Sequence, residues 1–573
     1  MTPKIVPNPF DPRRYLGAVI DVDATIARIN VLHDPSGGGR TLYGDRYQGG
    51  VVGQFVVIDA GLKAVLGIVV RVGVPERERQ SLEPEVSSVP AAHPLASVQL
   101  VATIDLATGT TEPGIARYPS VGALAFLAQP ALVAWAADGS QSRRTKNPIA
   151  IRIGSVAGTD IPVVIAPERL FGRHCAVLGA TGGGKSWTVA RLVEQVVNVG
   201  GKAILLDATG EYHTLGDLAT HVAVGVPPQN DGSSPQECAL PYFELSERDL
   251  FAMFRPSGQT QAPKLRAALL SLKVAAACGS TSVWPKRLKP HNEFQTAYQT
   301  NLEAVHRLGA KFDISLLSRQ IDEECVWPSG RPPNGNSNTH GDWADNDRAH
   351  CIGLINRIDE MVNSDELAAI FRPGELPSLL QIVSEFIAGS ACILRVSLAG
   401  MPFGHDAREI LVNALGRMLL HRARHGEFLR SPTVVFLDEA HQFLNVVLGD
   451  ENNKYALDSF ALIAKEGRKF ALSLCVATQR PRDLPDGVMS QVGTMIVHRL
   501  TNSSDRQVVE RAAADADQAV VRLLPSLVPG EAALLGVDFP VPMVVGVSPP
   551  TREPQSDGPD YAANWHASVG PAE

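Results

Sequence analysis

His174-Cys175-Ala176-Val177-Leu178-Gly179-Ala180-Thr181-Gly182-Gly183-Gly184-Lys185-Ser186 is the stretch that decides the fold. An apolar run enters a glycine-rich turn, and a helical run from Ser186 to Val199 leaves it. The spacing is G-x-x-x-x-G-K-[ST] between a strand and a helix, the context a phosphate-binding loop requires. Glycines let such a loop curl so that its N–H groups point inward, and the helix adds the positive end of its dipole. Gly179, Ala180, Thr181, Gly182, Gly183, Gly184, Lys185, Ser186 and Trp187 are therefore the expected nucleotide cradle. Lys185 is expected to reach the β- and γ-phosphates of ATP, and the Ser186 hydroxyl to ligate Mg²⁺. The competing reading is a glycine-rich turn with an accidental Lys-Ser.

Downstream, Lys202 to Asp207 reads as the next buried strand. After an interruption the same rhythm resumes at Ala391 to Leu398, Thr433 to Asp438, Leu472 to Thr478 and Met495 to Leu500. Apolar strands alternating with helices predict a parallel α/β sheet. Thr433-Val-Val-Phe-Leu-Asp438-Glu439 ends in two carboxylates. Asp438 is the expected Mg²⁺ holder, through water, and Glu439 the expected activator of the attacking water. Gln479, at the tip of the following strand, is placed to report the γ-phosphate. Each has a bland alternative, a strand that simply ends in a polar turn.

Upstream, from Gly17 to about Ile165, short β-rich runs separated by Gly/Asp/Ser clusters predict a small barrel. The spacing gives these divisions: a loose tail 1–15, a barrel 16–165, core halves 166–250 and 376–548 around a helical insertion 251–375, and a tail 549–573. Within the insertion, Trp327 to Asp347 is rich in Pro, Gly, Asn and Asp and reads as a mobile loop.

The apolar stretch Val121 to Ala137 is broken by Gln129-Pro130, too short for a spanning helix of roughly 20 residues. The first residues lack a signal layout, and seven cysteines without C-x-x-C spacing fit a reducing cytoplasm. Cys325, His340, His350 and Cys351 match no ligand spacing known for zinc. A net charge of −8 disfavours a simple DNA-coating protein, yet leaves room for a basic channel.

The quoted motifs resemble the HerA-like proteins of the HerA/FtsK group. The resemblance rests on the Arg173 to Ser186 stretch, Asp207-Ala-Thr-Gly-Glu211-Tyr212, Asp438-Glu-Ala-His441 and Ala464-Lys-Glu-Gly-Arg468-Lys469-Phe. It also rests on Ala477-Thr-Gln-Arg-Pro, Arg499-Leu-Thr-Asn502-Ser-Ser-Asp505 and Leu524-Pro-Ser-Leu-Val-Pro-Gly-Glu. It implies a RecA-like ATPase core behind a small barrel, a homo-hexameric ring and double-stranded DNA through the channel. It further implies Arg468 as an arginine finger, with Arg480 a rival, and Arg173 facing the same nucleotide. Bacterial relatives pair with effectors such as a nuclease or a sirtuin-like NADase, some in antiphage defence. A DNA translocase or helicase is the first expectation, and a ring scaffold that gates an effector the second. A secretion or conjugation ATPase is the third, disfavoured because no membrane segment is visible. Two features depart from the family: Gly183 stands where relatives often carry Ser, and the insertion carries no recognised motif.

Overall fold

In the strand Ile26–Val31, Ala27, Ile29 and Val31 are buried while Arg28 and Asn30 are exposed, the period of two that a half-buried strand requires. Six such strands close on one another. Their order is Ile26–Val31, Tyr15–Val22, Leu124–Leu127, Phe55–Asp59, Lys63–Gly73 and Leu95–Asp105, and the last pairs back to the first. Thr110–Pro113 adds a seventh strand beside Leu95–Asp105. Val19, Ile29, Val56, Ile58, Val65 and Val98 fill the interior. The closing strand Leu124–Leu127 comes from the apolar stretch before Gln129-Pro130, and Pro130–Asp138 is a helix. Among the described residues no helix is long and apolar enough to cross a membrane.

This computed structural model describes residues 7–31, 40–42, 45–47, 50–75, 94–138, 149–228, 231–307, 309–330, 336–402, 404–444, 446–449, 454–514 and 517–555. The chain forms two compact units. One comprises Met1–Ala203, Ser431–His441 and Ala471–Glu573; the other comprises Ile204–Arg430 and Gln442–Phe470.

Besides the barrel, the first unit carries a sheet ordered Pro162–Ile165, Ile151–Val156, Met543–Val547, Glu531–Leu535, Thr494–Val497, Cys175–Leu178, Leu472–Thr478, Thr433–Leu437. The last four are parallel, as expected, and buried except at the half-buried Ser473. The first four are antiparallel additions. Ile151–Val156 and Pro162–Ile165 therefore belong to the α/β sheet, not to the barrel that residues 16–165 were expected to form. Their alternating pattern reads alike in either setting, and only the partner strand Met543–Val547 distinguishes them.

The tails differ from expectation where they are described. Asp11 caps the turn Pro12–Arg14, and Phe10 packs its ring 5.6 Å from Phe126. At the other end, the Thr551 and Arg552 amides donate to the Glu194 carboxylate at 3.0 and 2.7 Å. The remainder of both tails, residues 1–6 and 556–573, lies outside the described residues.

In the second unit, Ile393–Ser397 and Thr220–Val224 pair in parallel, and Gln236–Cys238 extends them. Helices run from Glu247–Phe254 to Leu379–Ala388, so the helical part outlasts its expected end at 375. The Trp327 to Asp347 segment, expected to be mobile, is held by backbone pairs where described. Trp327 N donates to Asp342 O, Gly341 N to Trp327 O and Gly330 N to Thr339 O. The Trp343 ring lies between the guanidinium groups of Arg287 and Arg348, at 5.3 and 4.7 Å. Cross-strand pairing overrides a composition that by itself favours a loop; residues 331–335 lie outside the described set. Among the described residues no group of three or more His, Cys, Asp or Glu side chains is placed to hold a metal ion.

Candidate nucleotide site

Four adjacent parallel strands of the first unit end side by side, with Leu178 opposite both Val497 and Thr478. The residues that follow those tips are Gly179, Gln479, Asp438 with Glu439, and His498. Carboxyl ends of parallel strands are where α/β sheets bind ligands, because loops and helix N-termini converge there.

The loop from Gly179 enters the helix Lys185–Asn198 through Gly184 at φ +104°, a backbone conformation that only glycine adopts without strain. No side chain caps this helix, so its first N–H groups are left for an anion. Thr188 N already donates to Gly184 O at 2.9 Å, which fixes the first turn beneath the loop. A side chain at Gly179 would place its Cβ 2.7 Å from the Cβ of His498, so the loop is also glycine by close approach.

Lys185 is buried, and its Nζ donates to Asp438 Oδ1 at 3.0 Å and Glu439 Oε1 at 2.5 Å. Burial opposes its charge, but the two carboxylates outweigh that cost and raise its pKa above the ordinary lysine value. Glu439 is held at about 2: burial alone would raise it, and the hydrogen bond from His441 and the charge of Lys185 more than reverse that. It is therefore ionised at neutral pH. Its backbone sits at φ +46°, a conformation that costs a non-glycine residue on the order of 1–3 kcal/mol. Such strain aims the carboxylate off the strand tip and toward Lys185.

Gln479 links the two sides. Its Nε2 donates to Glu439 Oε1 at 2.9 Å, and its Oε1 accepts from Thr181 Oγ1 at 2.6 Å. His441 Nδ1 lies 3.3 Å from Glu439 Oε2 and 3.1 Å from Thr478 Oγ1. One carboxylate is thus in contact with the loop lysine, the strand-tip glutamine and a histidine. The arrangement is a glycine-rich turn entering a helix, with a buried ammonium held by two carboxylates beside it.

Part of the chain is similar to known proteins. Residues 151–282 match the family model described as "Helicase HerA, central domain". The DNA double-strand break repair helicase HerA of Sulfurisphaera tokodaii is 24% identical over 422 residues, 72% of each chain. Over residues 151–282 the chain is similar to the central domain of HerA helicases. The probable DNA double-strand break repair helicase HerA of Methanocaldococcus jannaschii is 26% identical over 419 residues, 70% of this chain and 76% of its own. Among solved structures, the bacterial conjugative coupling protein TrwB is similar over 72% of this chain and 93% of its own, with 15% identity and a TM-score of 0.43. The chain is a P-loop ATPase with a mixed α/β core and an antiparallel barrel.

Of the other residues expected at the nucleotide site, Ser186 and Trp187 are half-buried in the first helical turn beside Lys185. Arg173 is not at the loop. It precedes the strand Cys175–Leu178 at the end opposite the P-loop and pairs with Asp538 at 3.4 Å. Adjacency in sequence misled there, because a strand separates the two ends. Arg480 is exposed, 3.8 Å from Asp483. Arg468 lies in the turn Gly467–Phe470 of the second unit, exposed and in no ion pair among the described residues. Two contributors were missed by the sequence reading, His441 and His498. His441 lay inside a quoted motif and was assigned no role. His498 ends an apolar strand next to the P-loop strand, the position that also marked Gln479.

Proposed function

We propose that this chain is an ATP-driven ring motor, a homo-hexamer that moves double-stranded DNA through its channel as a translocase or helicase. The observation that carries it is the contact set Lys185, Asp438, Glu439, Gln479 and Thr181, all at one corner of a HerA-like sheet. ATP would lie along Gly179 to Trp187 with Lys185 on its terminal phosphates. Mg²⁺ would be held by Ser186 and Asp438, hard oxygen donors suited to that ion, and would supply charge neutralisation at the phosphates. Glu439, ionised and strained, would orient the water, and Gln479 would link that carboxylate to the loop. Exposed and in no ion pair among the described residues, Arg468 suits a finger offered to a neighbouring subunit, where a fixed cation meets developing charge. Support for the DNA substrate comes from the HerA relatives, which are named as DNA double-strand break repair helicases. The barrel would recruit an effector such as a nuclease or NADase in the cytoplasm, as part of antiphage defence.

The test is mass and ATP turnover measured together, with and without duplex DNA, on the purified chain. Turnover per subunit should rise with concentration and with DNA, and mixed rings of K185A and R468A subunits should recover part of the activity either lacks alone. Turnover by rings that DNA leaves unchanged would favour the scaffold reading. Mixed rings without recovery would remove Arg468 from the interface.

A further inference from the structure

His498 is fully buried at the tip of the strand Thr494–Val497, and nothing in the proposed chemistry uses it. Its hydrogen bonds define its state. Nδ1 lies 2.9 Å from the carbonyl oxygen of Glu531, which can only accept, so Nδ1 carries the hydrogen. Nε2 is then the lone-pair nitrogen, and Thr188 Oγ1 donates to it at 2.8 Å. Burial holds the imidazole near pH 4, so this neutral form persists at physiological pH.

Thr188 stands three residues after Lys185 on the helix Lys185–Asn198, one turn below the phosphate end. The same ring backs the loop itself. A Cβ at Gly183 would come 3.4 Å from His498 Cβ, and one at Gly184 would come 3.3 Å from His498 Cε1. Together with the 2.7 Å approach at Gly179, three loop glycines lie against one side chain. On its far side, the bond to Glu531 ties the ring to the strand Glu531–Leu535. The imidazole is thus a spacer between a sheet strand, the loop backbone and the first turn of the helix.

We propose that His498 is a positioning residue for phosphate binding: it sets the curvature of the Gly179–Gly184 loop and the seat of the helix that carries Lys185 and Ser186. This rests on reading that loop as the nucleotide site. His498 touches no phosphate; its effect passes through Thr188 and the loop backbone. A histidine that merely fills the core would, on removal, lower stability and leave nucleotide affinity alone. A positioning residue shifts affinity, because loop N–H groups misplaced by a fraction of an ångström lose their alignment with the phosphate.

The experiment compares full-length T188V, H498F and H498Q with wild type, measuring KM for ATP, kcat, and thermal midpoint, with K185A as control. T188V replaces the donor by a methyl of the same shape, and H498F keeps a ring but no hydrogen bond. Both should raise KM for ATP by about tenfold with kcat little changed, a loss of binding common to ground and transition states. The double variant should be no worse than H498F, since both changes break one link. H498Q, whose amide oxygen reaches toward Thr188, should recover most of the affinity. Unchanged KM in T188V and H498F, with a lowered midpoint, would make His498 a core residue and overturn the proposal. Should H498F fail to fold, T188V against wild type decides it. If K185A binds ATP as wild type does, the nucleotide-site reading itself falls, whereas loss in K185A alone overturns only the role of His498.

Discussion

Each unit of this chain buries a cluster of charges, and these two clusters are built for opposite ends. In the first, a single lysine lies between two carboxylates, Asp438 and Glu439, at the mouth of a glycine loop. In the second, Arg395 is fully buried and spends its whole guanidinium on fixed partners. Nε donates to Asp207 Oδ2 at 2.7 Å, one terminal nitrogen to Asp231 Oδ2 at 3.1 Å, and the other to Gly210 O at 3.2 Å. His221 accepts from Arg395 through Nδ1 at 3.3 Å, so its Nε2 donates to Gly216 O. Burial, and then the Arg395 charge, push His221 below the ordinary histidine value, which keeps it an acceptor. Asp207 in turn holds the Gly210 and Tyr212 amides.

A planar fork with every nitrogen engaged cannot exchange partners without leaving buried charge behind, so the Arg395 cluster is a fastener. A lysine ammonium is a point charge on a flexible stem and can trade a carboxylate for a phosphate at little geometric cost. Strain at Glu439 marks the same difference, since no non-glycine residue of the Arg395 cluster has positive φ. The lesson is that burial and pairing alone do not separate a reactive cluster from a structural one. The type of cation and the backbone strain do.

The largest effect should fall on the Lys185 side. E439Q should keep ATP binding and lower turnover on the order of a thousandfold, because the amide cannot take a proton. Near-normal turnover in a steady-state assay would break the comparison at its base. K185A should lose both binding and turnover.

On the Arg395 side the effect should be on stability. R395M removes the counter-charge of Asp207 and Asp231 and should cost about 3–5 kcal/mol, the range for breaking a buried pair from one side. Chemical denaturation followed by circular dichroism measures it. A cost below about 1 kcal/mol would mean that the cluster is not a fastener.

The smallest effect is a pH dependence that sharpens the first cluster. His498 is held near 4 in the fold, below its ordinary 6.5, so between those values the unfolded chain binds the extra proton. Its contribution is complete above pH 6.5 and is lost as pH falls toward 4, about 3 kcal/mol in all. Glu439 behaves likewise at lower pH, its share present above 4.5 and lost toward 2. Wild type minus H498Q in denaturant midpoints between pH 7 and 4 isolates the histidine. A difference that stays flat across that window would contradict its burial as a neutral ring.

The two halves of the nucleotide corner were unequally legible in sequence. Gly179 to Ser186 was readable because each residue answers a local demand: glycine for the turn, lysine for charge, a following helix for the dipole. Asp438, Glu439 and Gln479 were readable because a strand tip is recognisable from the apolar run before it. Arg395 carried a signal that went unused, an arginine inside the apolar run Ala391-Cys-Ile-Leu-Arg-Val-Ser-Leu. A charge there must find buried partners, but the run does not say which.

Local pattern alone therefore determined the parallel core, the barrel's strands and the phosphate loop, since period, turn residues and motif spacing act over a few residues. Tertiary structure decided what depends on partners distant in sequence. It assigned Ile151–Val156 and Pro162–Ile165 to the core sheet through Met543–Val547, and it paired the segment around Trp343 with itself. It sent Arg173 to Asp538 rather than to the loop, and set His498 behind the glycines 310 residues from Thr188. Those outcomes turn on which strands become neighbours, a choice made by burying the whole sheet rather than by any one stretch of it.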